Sequence, residues 1–241
     1  MPVRIISPTA STLIPIVRMS RRLFGESSYD ERLLEKEKTM SGDAHPKPLA
    51  PLPVEQWSGG IQSVLADMQG APLNVHKLMA HNPALLKAWW SFRNHSVNGG
   101  TLGRRLGEFV ILRVSLHLGA WYEWASHVDR SLRIGVTREE IQRIAVRETR
   151  PGWPDMEAVL LEAVDDLMEM RRLSADTQKQ LAQHFSDAQV LDIIAIQGMY
   201  VILGNMILSW GLELDTTVKE KIADTTNREE FLLSAQAFSK Q

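Results

Sequence analysis

Glu123 and His127 stand four positions apart, so one face of a helix carries both, and Arg130 follows three residues later on that face. Glu108 lies on the preceding apolar stretch. If the two stretches are helices that fold back on each other across Gly119, Glu108 approaches His127. Two carboxylates around an imidazole are equipment for acid–base catalysis. The plainer alternative is an ion pair on a charged surface helix, worth only a few tenths of a kcal/mol. Tyr122 and Trp124 flank the pair and favour partial burial, as core residues or as the wall of a pocket. Glu108, Glu123 and His127 allow a divalent metal in principle. No His-x-x-x-His or Glu-x-x-His spacing supports one, and the expectation is a site without a metal.

Other constellations carry less. His76 and His81 are five apart and do not read as a pair. His117 sits on an otherwise apolar helix and reads as a satisfied core or interface histidine. Gly99, Gly100 and Gly103 form a loop and a helix start. They are not a phosphate cradle, because no strand precedes them. No G-x-S-x-G nucleophile signature is present.

The elements that must position these residues are helices. No stretch keeps an alternating apolar–polar pattern, whereas helical spacing and helix punctuation recur. Val54, Trp57, Ile61, Leu65 and Met68 make a stripe weakened by Gly59-Gly60. Asn82-Pro83 is a cap followed by proline at the first helical position. Thr101 is the expected cap of the helix through Phe109 and Leu116, with a break at Gly119. The next helix spans about 120–134 and stops at Gly135. Thr137/Glu140 and Ser186/Gln189 are capping boxes, and Ser174 caps another helix. Met156 to Leu167 form a strong amphipathic stripe. The apolar run Val190 to Leu214 reads as a buried core helix, because Asp192, Gln197 and Asn205 interrupt it.

The expected architecture is all-α: eight or so helices in one domain at 53–224, an N-terminal extension at 1–52, and a C-terminal tail at 225–241. A chain of 241 residues can bury a full core unaided. With 27 Lys+Arg against 29 Asp+Glu, nothing argues for a nucleic-acid platform, and no membrane span is expected. Cysteine is absent, which rules out disulfides, thiolate metal sites and a cysteine nucleophile, and fits a reducing compartment. Residues 1–25 are rich in Arg and Ser and free of acids, the composition of a transit peptide. The preferred reading is an over-extended start ahead of Met40 or a disordered tail, with residues 1–40 dispensable. The expected location is therefore the cytoplasm, and the mitochondrion only if residues 1–25 are a true transit peptide.

From about Asn82 to Asp215 the chain resembles the carboxymuconolactone decarboxylase family, which shares its fold with the alkyl hydroperoxidase D proteins. Asn82-Pro83-x-Leu85 through Trp90 and Phe92 looks like the family's lead-in helix. Gly107-Glu108-Phe109-Val110-Ile111-Leu112 looks like its RExxIL helix. Tyr122-Glu123-Trp124-x-x-His127, with Gly135 and Glu139-Glu140-Ile141, is similar to its YEWxxH…GxxxEEI block. Leu191 to Leu214, with Tyr200 and Asn205, resembles the closing helix.

The resemblance implies a glutamate at Glu108 and a histidine at His127. The two cysteines of the hydroperoxidase branch fall on Ala120 and Glu123, so cysteine peroxide chemistry is excluded for this chain. What remains resembles the decarboxylase branch: loss of carbon dioxide, with no cofactor, from a small anionic lactone or β-keto acid that serves as its own electron sink. His127 is then the proton or oxyanion donor, and Glu123 or Glu108 orients it and holds it protonated. Arg113, Arg130 or Arg93 would bind the substrate carboxylate, with Tyr122 and Trp124 lining the site. Arg130 has an alternative as a partner of Glu123 or Glu139, and Arg113 as a partner of Glu108. The resemblance also implies a homo-oligomer, a trimer or hexamer. The other reading left open is a non-catalytic helical oligomer with a vestigial site.

Overall fold

The structure is a computed structural model and describes residues 49–97, 100–150 and 152–238. The expectations for the first forty residues lie outside these, as do Asn98, Gly99 and Pro151 of the expected loops. Among the described residues there are eleven α-helices and no strand. They are α1 (Gln62–Asp67), α2 (Asn74–Met79), α3 (Pro83–Val97), α4 (Arg104–Leu118), α5 (Trp121–Arg133), α6 (Arg138–Ile144), α7 (Asp155–Met170), α8 (Ala175–His184), α9 (Asp187–Trp210), α10 (Thr216–Ile222) and α11 (Arg228–Gln236).

The α4 helix is the hub. It packs against α5, α7 and α9, and every residue from Gly107 to Leu116 is buried. Glu108 and Arg113 go into the core with it, so each must find a partner there or cost several kcal/mol. At the end of α4, Gly119 takes a left-handed conformation (φ 64°), and the Ala120 N–H returns to the Ser115 carbonyl at 2.9 Å. That reversal lays α5 back along α4.

The punctuation read from the sequence is mostly in place. Asn82 Oδ1 accepts from the Leu85 N–H at 3.1 Å ahead of Pro83. Thr137 and Glu140 close a reciprocal capping box, as do Ser186 and Gln189, and Ser174 accepts from the Thr177 N–H.

Three expectations change. Thr101 is not the cap of α4, which starts two residues later behind Gly103. The Thr101 N–H and hydroxyl instead donate to Asp192 Oδ2 of α9, at 2.6 and 2.7 Å. This charged acceptor outcompetes a local cap. It also requires glycine at position 100, where φ is +36° and a Cβ would lie 2.6 Å from that oxygen. The stripe at 54–68 is two 3₁₀ turns (Val54–Gln56 and Gly59–Ile61) before α1, because Gly59-Gly60 interrupts it. Beyond residue 224 the chain forms α11 against α4 and α5, and Phe231, Ala235 and Phe238 are buried, so 225–238 contributes to the core rather than forming a tail.

By length and composition α9 is able to cross a membrane. It buries one face through Ile193, Ile196, Met199, Tyr200, Leu203 and Ile207. The other face exposes Leu191, Ile202, Leu208 and Trp210, so the expected core helix is buried on one side only.

Candidate active site

Helices α4, α5 and α9 meet at a common point. Glu108 Oε2 lies 2.5 Å from His127 Nδ1, and Tyr200 Oη lies 2.9 Å from His127 Nε2. Glu123, one turn before His127, has Oε2 at 3.6 Å from the same Nε2. Arg130 Nε donates to Glu108 Oε1 at 3.1 Å. His127 is thus held between a carboxylate on one nitrogen and a phenol on the other. Both glutamates attend it, on opposite sides.

The protonation states follow from burial and neighbours. Burial works to raise the Glu108 pKa, but His127 and Arg130 outweigh it and hold the carboxyl below its usual range. Burial first, and then Glu108, push Glu123 up to about 8, so it is mostly protonated at neutral pH. Burial lowers His127; Glu108 opposes this, and Arg130 and Arg93 lower it further. The imidazole is therefore neutral, which corrects the expectation that the glutamates hold it protonated. With Glu108 ionised, the proton sits on Nδ1 and Nε2 is the acceptor of the Tyr200 hydroxyl. Burial also raises the Tyr200 phenol well above its usual value, so it remains a donor.

His127 lines a cavity of about 180 Å³ together with Glu123, Tyr200, Ser126, Arg93 and Arg130. Arg133 and Lys221 add further positive charge to its wall, and Asp129 a negative one. Glu123 Oε1 and Ser126 Oγ are buried in this wall without a protein partner. Natural interiors leave few such polar atoms unsatisfied, which sets these two residues of the wall apart.

Of the expected substrate-binding residues, Arg93 and Arg130 line the cavity, and Arg130 pairs with Glu108 rather than Glu123 or Glu139. Tyr122 also lines it, but its hydroxyl is committed to Asp215 Oδ2 at 2.5 Å. Arg113 does not reach the cavity. It is fully buried, chelates Asp165 through Nε and Nη2 at 2.7 and 2.6 Å, and donates to the carbonyls of Ile144, Val146 and Arg147. It ties α4 to α7 and the turn after α6, and neither binds substrate nor pairs with Glu108. Trp124 is likewise structural, with Nε1 donating to Thr226 Oγ1 and the ring packed on Phe231. His117 is satisfied by Asp165 at 2.7 Å, as a core histidine should be. No group of three His, Asp or Glu among the described residues is arranged to hold a metal ion.

Tyr200 had no assigned role before the fold was known. It is 73 residues from His127, so only the packing of α9 on α4 and α5 reveals it. His76 and Lys221 reach the wall from α2 and α10 in the same way.

Residues 83–165, which hold Glu108, Glu123, His127 and Arg130, match the carboxymuconolactone decarboxylase family. No curated protein matches the chain. Among solved structures, the apo debrominase Bmp8 superposes with a TM-score of 0.64 at 16% identity, over 76% of this chain and 100% of that one. A variant of it in complex with 2,3,4-tribromopyrrole gives 0.63 at 17%, again over 76% and 100%. The alkylhydroperoxidase AhpD core of a peroxidase-related protein from Ralstonia eutropha JMP134 gives 0.63 at 19%, over 73% of this chain and 96% of that one. The fold is alkyl hydroperoxidase D-like.

Proposed function

We propose, on the premise that this chain carries the carboxymuconolactone decarboxylase family pattern on an alkyl hydroperoxidase D-like fold, that it is a cofactor-independent lyase or isomerase of small anionic lactones or β-keto acids. The observation that carries this reading is the pair Glu123 and His127 on one cavity wall, the carboxyl protonated and the imidazole neutral, with Arg93 and Arg130 beside them. Two titratable groups with separated proton affinities are an acid and a base in waiting.

The chemistry runs as follows. A guanidinium of the wall pairs with a substrate carboxylate. In a decarboxylation, the bond to the departing carboxylate breaks and its electron pair passes through the conjugated system to the carbonyl oxygen. Carbon dioxide leaves. The Glu123 carboxyl donates to the growing oxyanion, and the Tyr200 hydroxyl turns its single proton from His127 Nε2 to the same oxygen as charge develops. A proton then passes from Glu123 to carbon, and Glu123 regains one from water through His127 Nε2, so each turnover takes up one proton from solvent. In an isomerisation the same acid and base move a proton between two carbons.

Sharing a fold with a debrominase and peroxidase-related proteins does not favour thiol chemistry here, because the chain has no cysteine. We also propose a homo-oligomer, which would cover the exposed apolar face of α9. A turnover screen of small lactones and β-keto acids, followed by carbon dioxide release and loss of conjugated absorbance, tests the activity. Turnover that is abolished in His127→Gln supports it. Absence of turnover across the panel, or turnover indifferent to His127→Gln, rejects it.

A further inference from the structure

A second hollow, of about 410 Å³, lies beside the catalytic cavity. The two share Leu73, His76 and Arg93 in their walls, so these three side chains stand between them. Trp90, Met68 and Ala71 also line the second chamber. The Trp90 indole is fixed there: its Nε1 donates to Asp67 Oδ2 at 2.8 Å, and the His76 ring meets it edge-on at 5.6 Å. The Arg93 guanidinium carbon lies 4.9 Å from the centre of that indole, while Nη1 donates to Asn94 Oδ1 at 3.1 Å. One cation therefore belongs to both spaces, with a fixed aromatic ring beside it. Burial pushes His76 down to about 3, helped by Arg93 and Arg130, so it adds no charge at the junction.

We infer that this second chamber binds the uncharged, planar aromatic arm of a substrate whose carboxylate is held at the junction by Arg93. A flat ring can stack on the guanidinium or meet the indole edge to face, with Met68 and Leu73 as apolar walls. The Asp67 carboxylate on the rim disfavours a second anionic group in the arm. The inference rests on the reading of Arg93 as a carboxylate ligand, and it extends the substrate class from a bare lactone or keto acid to an aryl-bearing one.

Calorimetric titration of the full chain with propanoate and with 3-phenylpropanoate tests it without requiring turnover. The phenyl-bearing probe is expected to bind at least about tenfold more tightly, the value of burying one such ring partially. Ala71→Phe, which fills the chamber away from His127, removes that advantage and leaves propanoate binding unchanged. Met68→Phe does the same from another wall, should Ala71→Phe fail to fold. Arg93→Gln weakens both probes. Equal affinity for the two probes, no saturable binding of 3-phenylpropanoate, or an advantage that survives in the filled variants overturns the inference. Probe binding as expected with no turnover in the lactone and keto-acid screen would reject the lyase reading and leave the chamber standing.

Discussion

Glu108 accepts a hydrogen bond from His127 Nδ1 at 2.5 Å inside the protein, with both side chains almost fully buried. The contact fixes the tautomer of the imidazole and aims Nε2 at Tyr200 and Glu123. A buried ionised glutamate is tolerable only because His127 and Arg130 both bond to it. The relationship therefore links α4 to α5 and leaves Nε2 as the imidazole nitrogen able to accept a proton.

His127→Gln should lower turnover on the true substrate by about 10²-fold or more, since a positioned acid–base group contributes about 10²–10⁴. Glutamine retains a donor for Glu108, so the loss of stability should stay near 1–3 kcal/mol. Tyr200→Phe should keep KM within about threefold and lower kcat by about tenfold or more, because it removes a donor that strengthens only as oxyanion charge develops. Steady-state kinetics beside urea melts check both. A Tyr200→Phe enzyme with unchanged kcat would reduce the phenol to a packing role.

Glu123 sets the expected pH dependence. Its carboxyl is raised from 4.5 to about 8 in the folded chain. The unfolded chain thus releases this proton first, and the stability that goes with the protonated form is present below about 4.5 and lost as pH rises through about 8. Glu123→Gln cannot titrate and should flatten the fall in melting temperature between pH 5 and pH 8.5. The activity of the parent protein should also decline as Glu123 ionises near 8, and that limb should vanish in the variant. An unaltered alkaline limb in Glu123→Gln would assign it to another group.

Much of the site was legible locally. The i, i+4 spacing of Glu123 and His127 survives into α5, and the glycine at 119 made the approach of Glu108 readable from two helices and one reversal. What could not be read depends on contacts between distant segments. Nothing near Arg113 announces Asp165, 52 residues away, so an arginine close to the motif looked like a substrate ligand. Trp124 looked like a pocket wall because its partners Phe231 and Thr226, the latter 102 residues on, lie in the stretch expected to be a tail. Thr101 looked like a cap because Asp192, its stronger partner, lies on another helix. Partners brought from distant segments by tertiary packing are the common feature of these misses, and sequence spacing carries no record of them.

Arg113 offers a clean separation of structure from chemistry. Arg113→Met leaves Asp165 with His117 alone and three carbonyls without this donor, and breaking a buried pair in this way costs about 3–5 kcal/mol. Arg113→Lys restores charge but not the bidentate fork, and should recover only part of that loss. The folded fraction of either variant should retain the parent KM, because the side chain does not reach the cavity. Denaturant midpoints and KM measured below the melting range decide the matter. A KM raised tenfold in a fully folded Arg113→Lys protein would return this arginine to the substrate site.

Asp215 controls a different wall of the cavity. Its carboxylate accepts from the Tyr122 hydroxyl at 2.5 Å and from the Asn74 N–H at 3.0 Å, so it joins α5 and α2 to the start of α10. That short helix contributes Thr217, Val218 and Lys221 to the cavity. At seven residues it is too short to hold its shape unaided, and its position depends on this anchor and on the buried side chains of Val218 and Ile222. Asp215→Ala removes the acceptor for two buried or half-buried donors, a loss of about 1–3 kcal/mol. Most of it should appear as local opening rather than global unfolding, because α10 has few other polar ties. Amide hydrogen exchange should therefore quicken in 216–222 and stay unchanged in α4 and α9. KM for an anionic substrate should rise by about three- to tenfold as Lys221 loses its place, with kcat altered less, since binding rather than the acid–base groups is affected. Tyr122→Phe removes one of the two bonds and should give a smaller change of the same kind. Unchanged exchange in 216–222 after Asp215→Ala would show that apolar packing alone holds α10 over the cavity.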